Sequence, residues 1–196
     1  MRIPLFPLHT VLFPGGVLPL KIFEQRYVDM AKRCLAGDTP FGVCLITRGD
    51  EVSGAGREEA EFANVGTLAR IVRWDMPQLG ILHVMTSGAT RFIVESHAIE
   101  PSGLVVGDVR TLAAEPTVAL QPSHTPLVRL LELIASRVGP GNFPDDGAWG
   151  DASWVGYRLA DFLPLPLSIK QSMLEINDAG VRLSVLQKFL SEQGVL

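Results

Sequence analysis

The spacing of apolar residues changes near residue 115, and this change constrains the fold more than any other feature of the sequence. Before it, short apolar runs are separated by glycine and proline, a pattern typical of a β-barrel or β-sandwich. After it, apolar residues recur at the spacing of amphipathic helices. The sequence therefore predicts an α+β protein, with a β-rich domain over residues 1–115 and a helical subdomain over residues 116–196 packed on it.

Turn residues bound the predicted strands, which cover residues 2–6, 17–20, 41–47, 65–74, 80–86, 91–99 and 104–112. Turns are predicted at residues 76–78 and 87–89. A helix over residues 24–36 is expected to end at Gly37 and to bury Tyr27, Met30, Ala31 and Cys34. In the second domain, Thr125 is predicted to cap a helix whose first residue is Pro126. Further helices are predicted over residues 152–162, from a capping box at residues 168–171, and over residues 179–192.

The sequence lacks the motifs of several enzyme classes. No lysine follows a glycine, so the Gly-Lys-Ser/Thr loop that holds nucleotide phosphates is missing. No serine lies in the strained turn of α/β-hydrolases, and the four histidines are isolated from one another. The glycines at positions 54 and 56 indicate an exposed loop rather than a dinucleotide site. We therefore expect no catalytic residue, no cofactor and no metal.

Residues 3–20 carry no charge, which could indicate a membrane span or a signal peptide. Four prolines interrupt this segment, and each removes a backbone donor that a lipid-exposed helix needs. We interpret the segment as folded protein and expect a cytoplasmic location with no membrane partner. The net charge of −4 argues against a general attraction to nucleic acid.

Two short motifs combine aromatic and charged residues. In residues 23–27, Glu24 and Arg26 lie between Phe23 and Tyr27, and this group either packs and caps the following helix or grips a partner. In residues 88–92, Arg91 either forms an ion pair or binds a ligand. Both interpretations stay open at the level of the residues.

Ten segments, taken in their order along the chain, resemble the amino-terminal substrate-binding domain of the Lon protease. They are residues 3–8, 12–15, 18–20, 22–27, 41–43, 65–69, 88–92, 163–165, 170–175 and 182–183. The resemblance implies a PUA-like β-barrel followed by a helical bundle. It also implies a stand-alone, non-catalytic module that lacks the ATPase and Ser-Lys peptidase parts of the protease. Its expected partners are unfolded or tagged polypeptides, with a protease or chaperone if it acts as an adaptor in protein quality control.

The kinked segment before the first helix is the predicted polypeptide-binding surface, because its apolar residues cannot all face inward around Pro14 and Pro19. The predicted binding residues are Leu12, Phe13, Val17, Leu18, Glu24, Arg26, Tyr27 and Arg91. Two other functions are considered. PUA-like barrels also bind RNA, for which Arg70, Arg73, Arg91 and Arg110 are the candidate residues, and an uncharacterised enzyme remains the third.

Overall fold

A computed structural model of the chain describes residues 1–49, 60–139, 143–144 and 147–196. These residues form two compact units, Met1–Ala113 (unit 1) and Ala114–Leu196 (unit 2). Within the described residues, unit 1 holds a mostly antiparallel sheet and one α-helix, and unit 2 holds four α-helices.

The strands of unit 1 are β1 (Arg2–Leu8), β2 (Val17–Ile22), β3 (Phe41–Arg48), β4 (Glu61–Phe62), β5 (Val65–Gln78), β6 (Ile81–Ile99) and β7 (Val105–Thr111). They are paired in the order β1-β7-β6-β5-β3-β4, and β2 pairs separately with β6. β1 also pairs with β3 in parallel, whereas its pairing with β7 is antiparallel. β1 therefore has a strand on each side.

The helix of unit 1, α1 (Gln25–Gly37), buries the apolar face that the sequence predicts. Tyr27, Met30, Ala31 and Cys34 are buried, and the Tyr27 ring stacks on Phe6 with 3.9 Å between centroids. The predicted C-cap is wrong, because Gly37 is the last helical residue. Asp38 is the C-cap residue and adopts the left-handed conformation, with φ of 47°.

Strand β6 runs without a break through residues 87–89, where the sequence predicts a turn. Glycine is required at position 88 by close packing rather than by a turn, because a Cβ atom there would lie 2.2 Å from the carbonyl oxygen of Phe13. The Gly88 N–H donates to the carbonyl of Gly16, and the Gly88 carbonyl accepts from the N–H of Gly15. The β5–β6 turn lies instead at Gly80, whose φ is 83°, and not at residues 76–78.

Unit 2 contains α2 (Thr125–Val138), α3 (Ala152–Phe162), α4 (Leu167–Glu175) and α5 (Ala179–Glu192). The bounds predicted for α3 and α5 are confirmed. The predicted capping box is wrong, because α4 begins at Leu167 with no side-chain cap. Gln171 donates instead to Glu175, one turn later in the helix.

A buried ion pair between Glu115 and Arg182 lies within unit 2. Arg182 also donates to the carbonyls of Met173 and Ile176, and its guanidinium lies 3.9 Å from the centre of the Tyr157 ring. Burial opposes ionisation of Glu115, but hydrogen bonds led by those from Arg182 outweigh it and lower its pKa to about 2. This cluster joins the segment before α2 to α3, the end of α4 and α5.

Candidate functional site

A three-stranded ribbon forms the most distinctive surface of unit 1. It consists of β2 (Val17–Ile22), residues 81–87 of β6 and residues 70–78 of β5, with β6 in the middle. β5 and β6 have 14 and 19 residues, far more than the typical five or six. The pairing of β5 with β3 ends at Ala69, so the later part of β5 extends beyond that pairing. We call the three strand segments together the β2–β6–β5 ribbon.

Large apolar side chains are exposed on and beside the ribbon. Trp74 is 56% exposed and Leu79, at the turn, is 93% exposed. A register shift between Ile71 and Arg73 sets Val72 outside the regular pairing, and Val72 is exposed as well. Of the seven large apolar residues exposed in the described part of unit 1, five lie on or next to the ribbon: Val17, Phe23, Val72, Trp74 and Leu79. A concentration of exposed large apolar side chains in one part of a surface is typical of interaction sites.

An open groove with a volume of about 600 Å³ lies on the ribbon. It is lined by three residues from each strand: Pro19, Leu20 and Lys21; His83, Val84 and Met85; Arg73, Trp74 and Asp75. A smaller groove of about 230 Å³ shares the β2 residues and is also lined by Phe6, Tyr27 and Phe23. Both grooves lie along β2, which pairs only with β6 among the described strands, and this leaves room for an extended chain to bind along it.

The predicted binding residues before the ribbon are mostly part of the core. Phe13 is fully buried, and Leu12 is buried with its carbonyl accepting from the Thr67 hydroxyl at 2.6 Å. A polypeptide on the folded surface has no access to these two side chains. Val17 is exposed as predicted, whereas Leu18 is partly buried against the core.

The charged motif at residues 23–27 is held by contacts within unit 1. Glu24 occupies the N-cap position of α1 but makes no capping hydrogen bond. It accepts instead from Arg26, which also donates to the carbonyl of Gly103 at 2.7 Å and lies 4.5 Å from the centre of the Tyr27 ring. Tyr27 is buried, so the packing interpretation holds for the ring, and Phe23 is the exposed aromatic residue of the motif.

Arg91 is also inaccessible, with only 4% of its surface exposed. It pairs with Thr67 across the β5–β6 register, close to the buried segment that contains Leu12. A ligand-binding role at the surface does not fit this burial.

The sequence reasoning missed Trp74 on the ribbon and Leu79 at its turn, both of which are exposed. The available signal was the length of the β5 and β6 segments, because strands longer than the core requires must project their ends into solvent. Because a turn was predicted at residues 87–89, β6 was divided into two short strands and its full length was not recognised.

The described residues offer little for catalysis or metal binding. They contain no group of three or more potential metal ligands, and positions 54 and 56 considered above lie outside them. Burial raises the pKa of the Cys44 thiol to about 12 and also raises that of Cys34, which keeps both thiols protonated and unreactive. Among the described helices, none is both long and apolar enough to span a membrane.

Comparison with known proteins gives one consistent match. Residues 2–192 match the family model described as the ATP-dependent protease La (LON) substrate-binding domain. The chain is 32% identical to the Lon protease of Cytophaga hutchinsonii and 25% identical to Lon protease 2 of Myxococcus xanthus. Each alignment covers 97% of this chain and 24% of the relative. The chain therefore spans about a quarter of the length of these curated relatives.

Two solved structures are similar over nearly the whole chain. The Lon N-terminal domain protein from Xanthomonas campestris superposes with a TM-score of 0.77 at 34% identity, covering 96% of this chain and 98% of that one. The N-terminal domain of a Mycobacterium avium complex Lon protease superposes with a TM-score of 0.63 at 19% identity, covering 97% and 98%. The second likeness concerns the fold alone.

Proposed function

The chain belongs to the family of Lon substrate-binding domains, and we propose that it holds unfolded polypeptide on the β2–β6–β5 ribbon without cleaving it. The observation that carries this proposal is the group of exposed apolar residues on the ribbon, above all Trp74 and Leu79. Such a surface accepts many sequences, because apolar contacts are not directional.

The expected affinity is micromolar, about −8 kcal/mol. Burying one large apolar side chain contributes about 1.5–3 kcal/mol, so a few contacts suffice after the entropy lost on association is subtracted. We keep Val17, Leu18 and Glu24 from the predicted binding residues in the proposed surface and add Trp74 and Leu79. Leu12, Phe13, Tyr27 and Arg91 are proposed to support it from the core.

We also propose that unit 1 is a PUA-like β-barrel, supported by the pairing of β1 with both β7 and β3, which returns the strand order to its start. We further propose that the helices from residue 116 onward form a bundle that packs on the barrel. A single cooperative melting transition in calorimetry would support a shared core, and two separate transitions would contradict it.

A non-catalytic adaptor that passes polypeptide to a protease or chaperone is the role we propose in the cell, with a cytoplasmic location. RNA binding has less support. Of its candidate arginines, Arg91 is buried, and Arg70 and Arg110 are paired with Asp38 and Glu95.

The test is fluorescence anisotropy with a labelled protein kept unfolded by reduction and alkylation. The double variant Trp74→Ala/Leu79→Ala removes exposed side chains, so we expect the fold to persist and the affinity to fall at least tenfold. The matched control is Leu133→Ala/Val185→Ala, which removes two exposed apolar side chains from unit 2. Equal affinities for the two double variants would contradict the proposed surface.

The variant Phe13→Asp tests whether Phe13 is a core residue or contacts the bound polypeptide. An uncompensated carboxylate at this fully buried position is expected to lower the melting temperature sharply. Normal melting together with lost binding would show instead that Phe13 is a contact residue.

A further inference from the structure

The cations of the groove differ from most others in unit 1 because neither forms an ion pair with a described carboxylate. Arg2, Arg26, Arg48, Arg70 and Arg110 each form an ion pair with a nearby carboxylate. Lys21 and Arg73 have no ion pair or hydrogen bond among the described residues. The only other such cations in the described part of unit 1 are Lys32 and Arg33, both on the exposed side of α1.

The sheet register places these cations at the two borders of the groove. Lys21 is opposite His83, which is opposite Asp75, and the next row on the same face holds Pro19, Met85 and Arg73. Lys21 lies on one outer strand and Arg73 on the other, one row along, so two strand spacings and a two-residue step separate them, roughly 12 Å in all. Met85, on the middle strand, lies between the two outer strands, and Pro19 extends its apolar surface beside Lys21.

We propose that this groove selects extended polypeptide segments in which an apolar side chain is flanked by acidic residues. The inference rests on the proposed function and specifies its substrate class on one face of the ribbon. Trp74 shares a row with Val84 and Leu20, so its side chain belongs to the opposite face. The apolar side chain contacts Pro19 and Met85, while the flanking carboxylates pair with Lys21 and Arg73. In an extended chain, residues i and i+2 lie about 7 Å apart and share one face, so acidic residues two to four positions apart match the two cations.

An acidic polypeptide fits the groove better than a phosphate-rich partner. Affinity for a nucleic-acid backbone grows with the number of phosphates that cations neutralise, and this groove has only two permanent cations beside the carboxylate of Asp75. The whole chain carries a net charge of −4, which repels a polyanion at long range. A short segment with two carboxylates experiences mainly the local cations.

The experiment compares three labelled peptides of about six residues, the length of a typical strand, with the same apolar centre and acidic, neutral or basic flanks. At low ionic strength we expect the acidic peptide to bind about tenfold tighter than the neutral one, and the basic peptide to bind weakest. The variant Lys21→Glu/Arg73→Glu is expected to reverse this order. The control Lys32→Glu/Arg33→Glu makes the same change in net charge on α1 and is expected to leave the order unchanged.

Several results would overturn the inference. Equal affinities for the acidic and neutral peptides would show that there is no charge preference. If the three peptides rank in the same order of affinity in both charge variants, the preference does not come from Lys21 and Arg73. Displacement of the acidic peptide by an RNA oligonucleotide or by anionic vesicles at equal charge would assign the cations to phosphate. Normal binding of the unfolded protein with no peptide preference would overturn this inference alone, whereas absence of binding to the unfolded protein would overturn the proposed function.

Discussion

The buried Glu115–Arg182 cluster of unit 2 and the open groove of unit 1 use charge in opposite ways. Arg182 is fully buried, and its charge is matched by Glu115, two carbonyls and the Tyr157 ring. Lys21 and Arg73 are exposed, and neither forms an ion pair with a described carboxylate. The difference teaches that the first cluster contributes to holding the fold, while the second remains available to another molecule.

The energetic consequence follows from solvent access. Removing one partner of a buried pair leaves the other charge without water or counter-charge, which costs several kcal/mol. Removing an exposed charge costs little, because water already solvates it. Stability measurements should therefore respond to unit 2 charges, and binding measurements to the groove.

The largest effect is expected from Arg182→Ala, which leaves Glu115 buried without its cation and two carbonyls without a donor. We expect the free energy of unfolding to fall by about 3–5 kcal/mol. Urea denaturation followed by tryptophan fluorescence measures it, since Trp149 and Trp154 lie in unit 2. Arg129→Ala, at an exposed position of α2, is the control. If Arg182→Ala lowers the free energy of unfolding no more than Arg129→Ala does, the contrast between the two clusters is wrong.

Acid should weaken the same cluster. The folded-state pKa of Glu115 is lowered from 4.5 to about 2, so its contribution is present above about pH 4.5 and is lost as the pH falls toward 2. The expected loss of unfolding free energy is on the order of 3 kcal/mol. Urea titrations across this range measure it, with Glu115→Gln as the comparison. An equally steep acid loss in that variant would assign the effect to other carboxyl groups.

Backbone contact, rather than charge, is expected to hold the base of the ribbon. In Gly88→Ala the added methyl group would collide with the carbonyl of Phe13, and we expect a loss of about 1–3 kcal/mol. Gly37→Ala is the control, because its Cβ would meet only ordinary contacts with Thr39. Thermal melts of both variants decide the point, and equal melting temperatures would mean that residues 13–16 yield to the methyl group at no cost.

The smallest effect on stability is expected from Lys21→Glu/Arg73→Glu. Both side chains are exposed and unpaired among the described residues, so the unfolding free energy should change by less than about 0.5 kcal/mol. A large destabilisation measured by urea denaturation would show that the groove cations hold the fold, and would remove the distinction between the two clusters.

Local patterns in the sequence predicted the helices well. The bounds of α3 and α5 and the buried face of α1 follow from apolar spacing and nearby proline or glycine, which act within a few residues. The break predicted in β6 failed because a glycine required by close approach looks the same in sequence as a turn glycine. Gly88 is distinguished only by the Phe13 carbonyl, which lies 75 positions earlier in the chain.

The site was harder to predict than the fold. Pro14 and Pro19 correctly indicate a bent segment, but they do not say which of its side chains turn inward, and Leu12 and Phe13 do. Glu115 and Arg182 are 67 positions apart, so their pairing depends on the packing of α3, α4 and α5 rather than on local spacing. The family resemblance implied a polypeptide ligand, which stays a proposal, and the structure supplies the exposed residues.

The place of β1 between two strands has a consequence for synthesis. Arg2 pairs with Asp108, so the first strand of the chain completes its neighbours only when β7 has been made, about 100 residues later. At roughly 5–20 residues per second, that interval lasts about 5–20 seconds. Pairing with β3 becomes available earlier, but it leaves the opposite edge of β1 open. During that time the nascent chain presents an extended apolar segment, the same kind of ligand that its folded ribbon is proposed to hold.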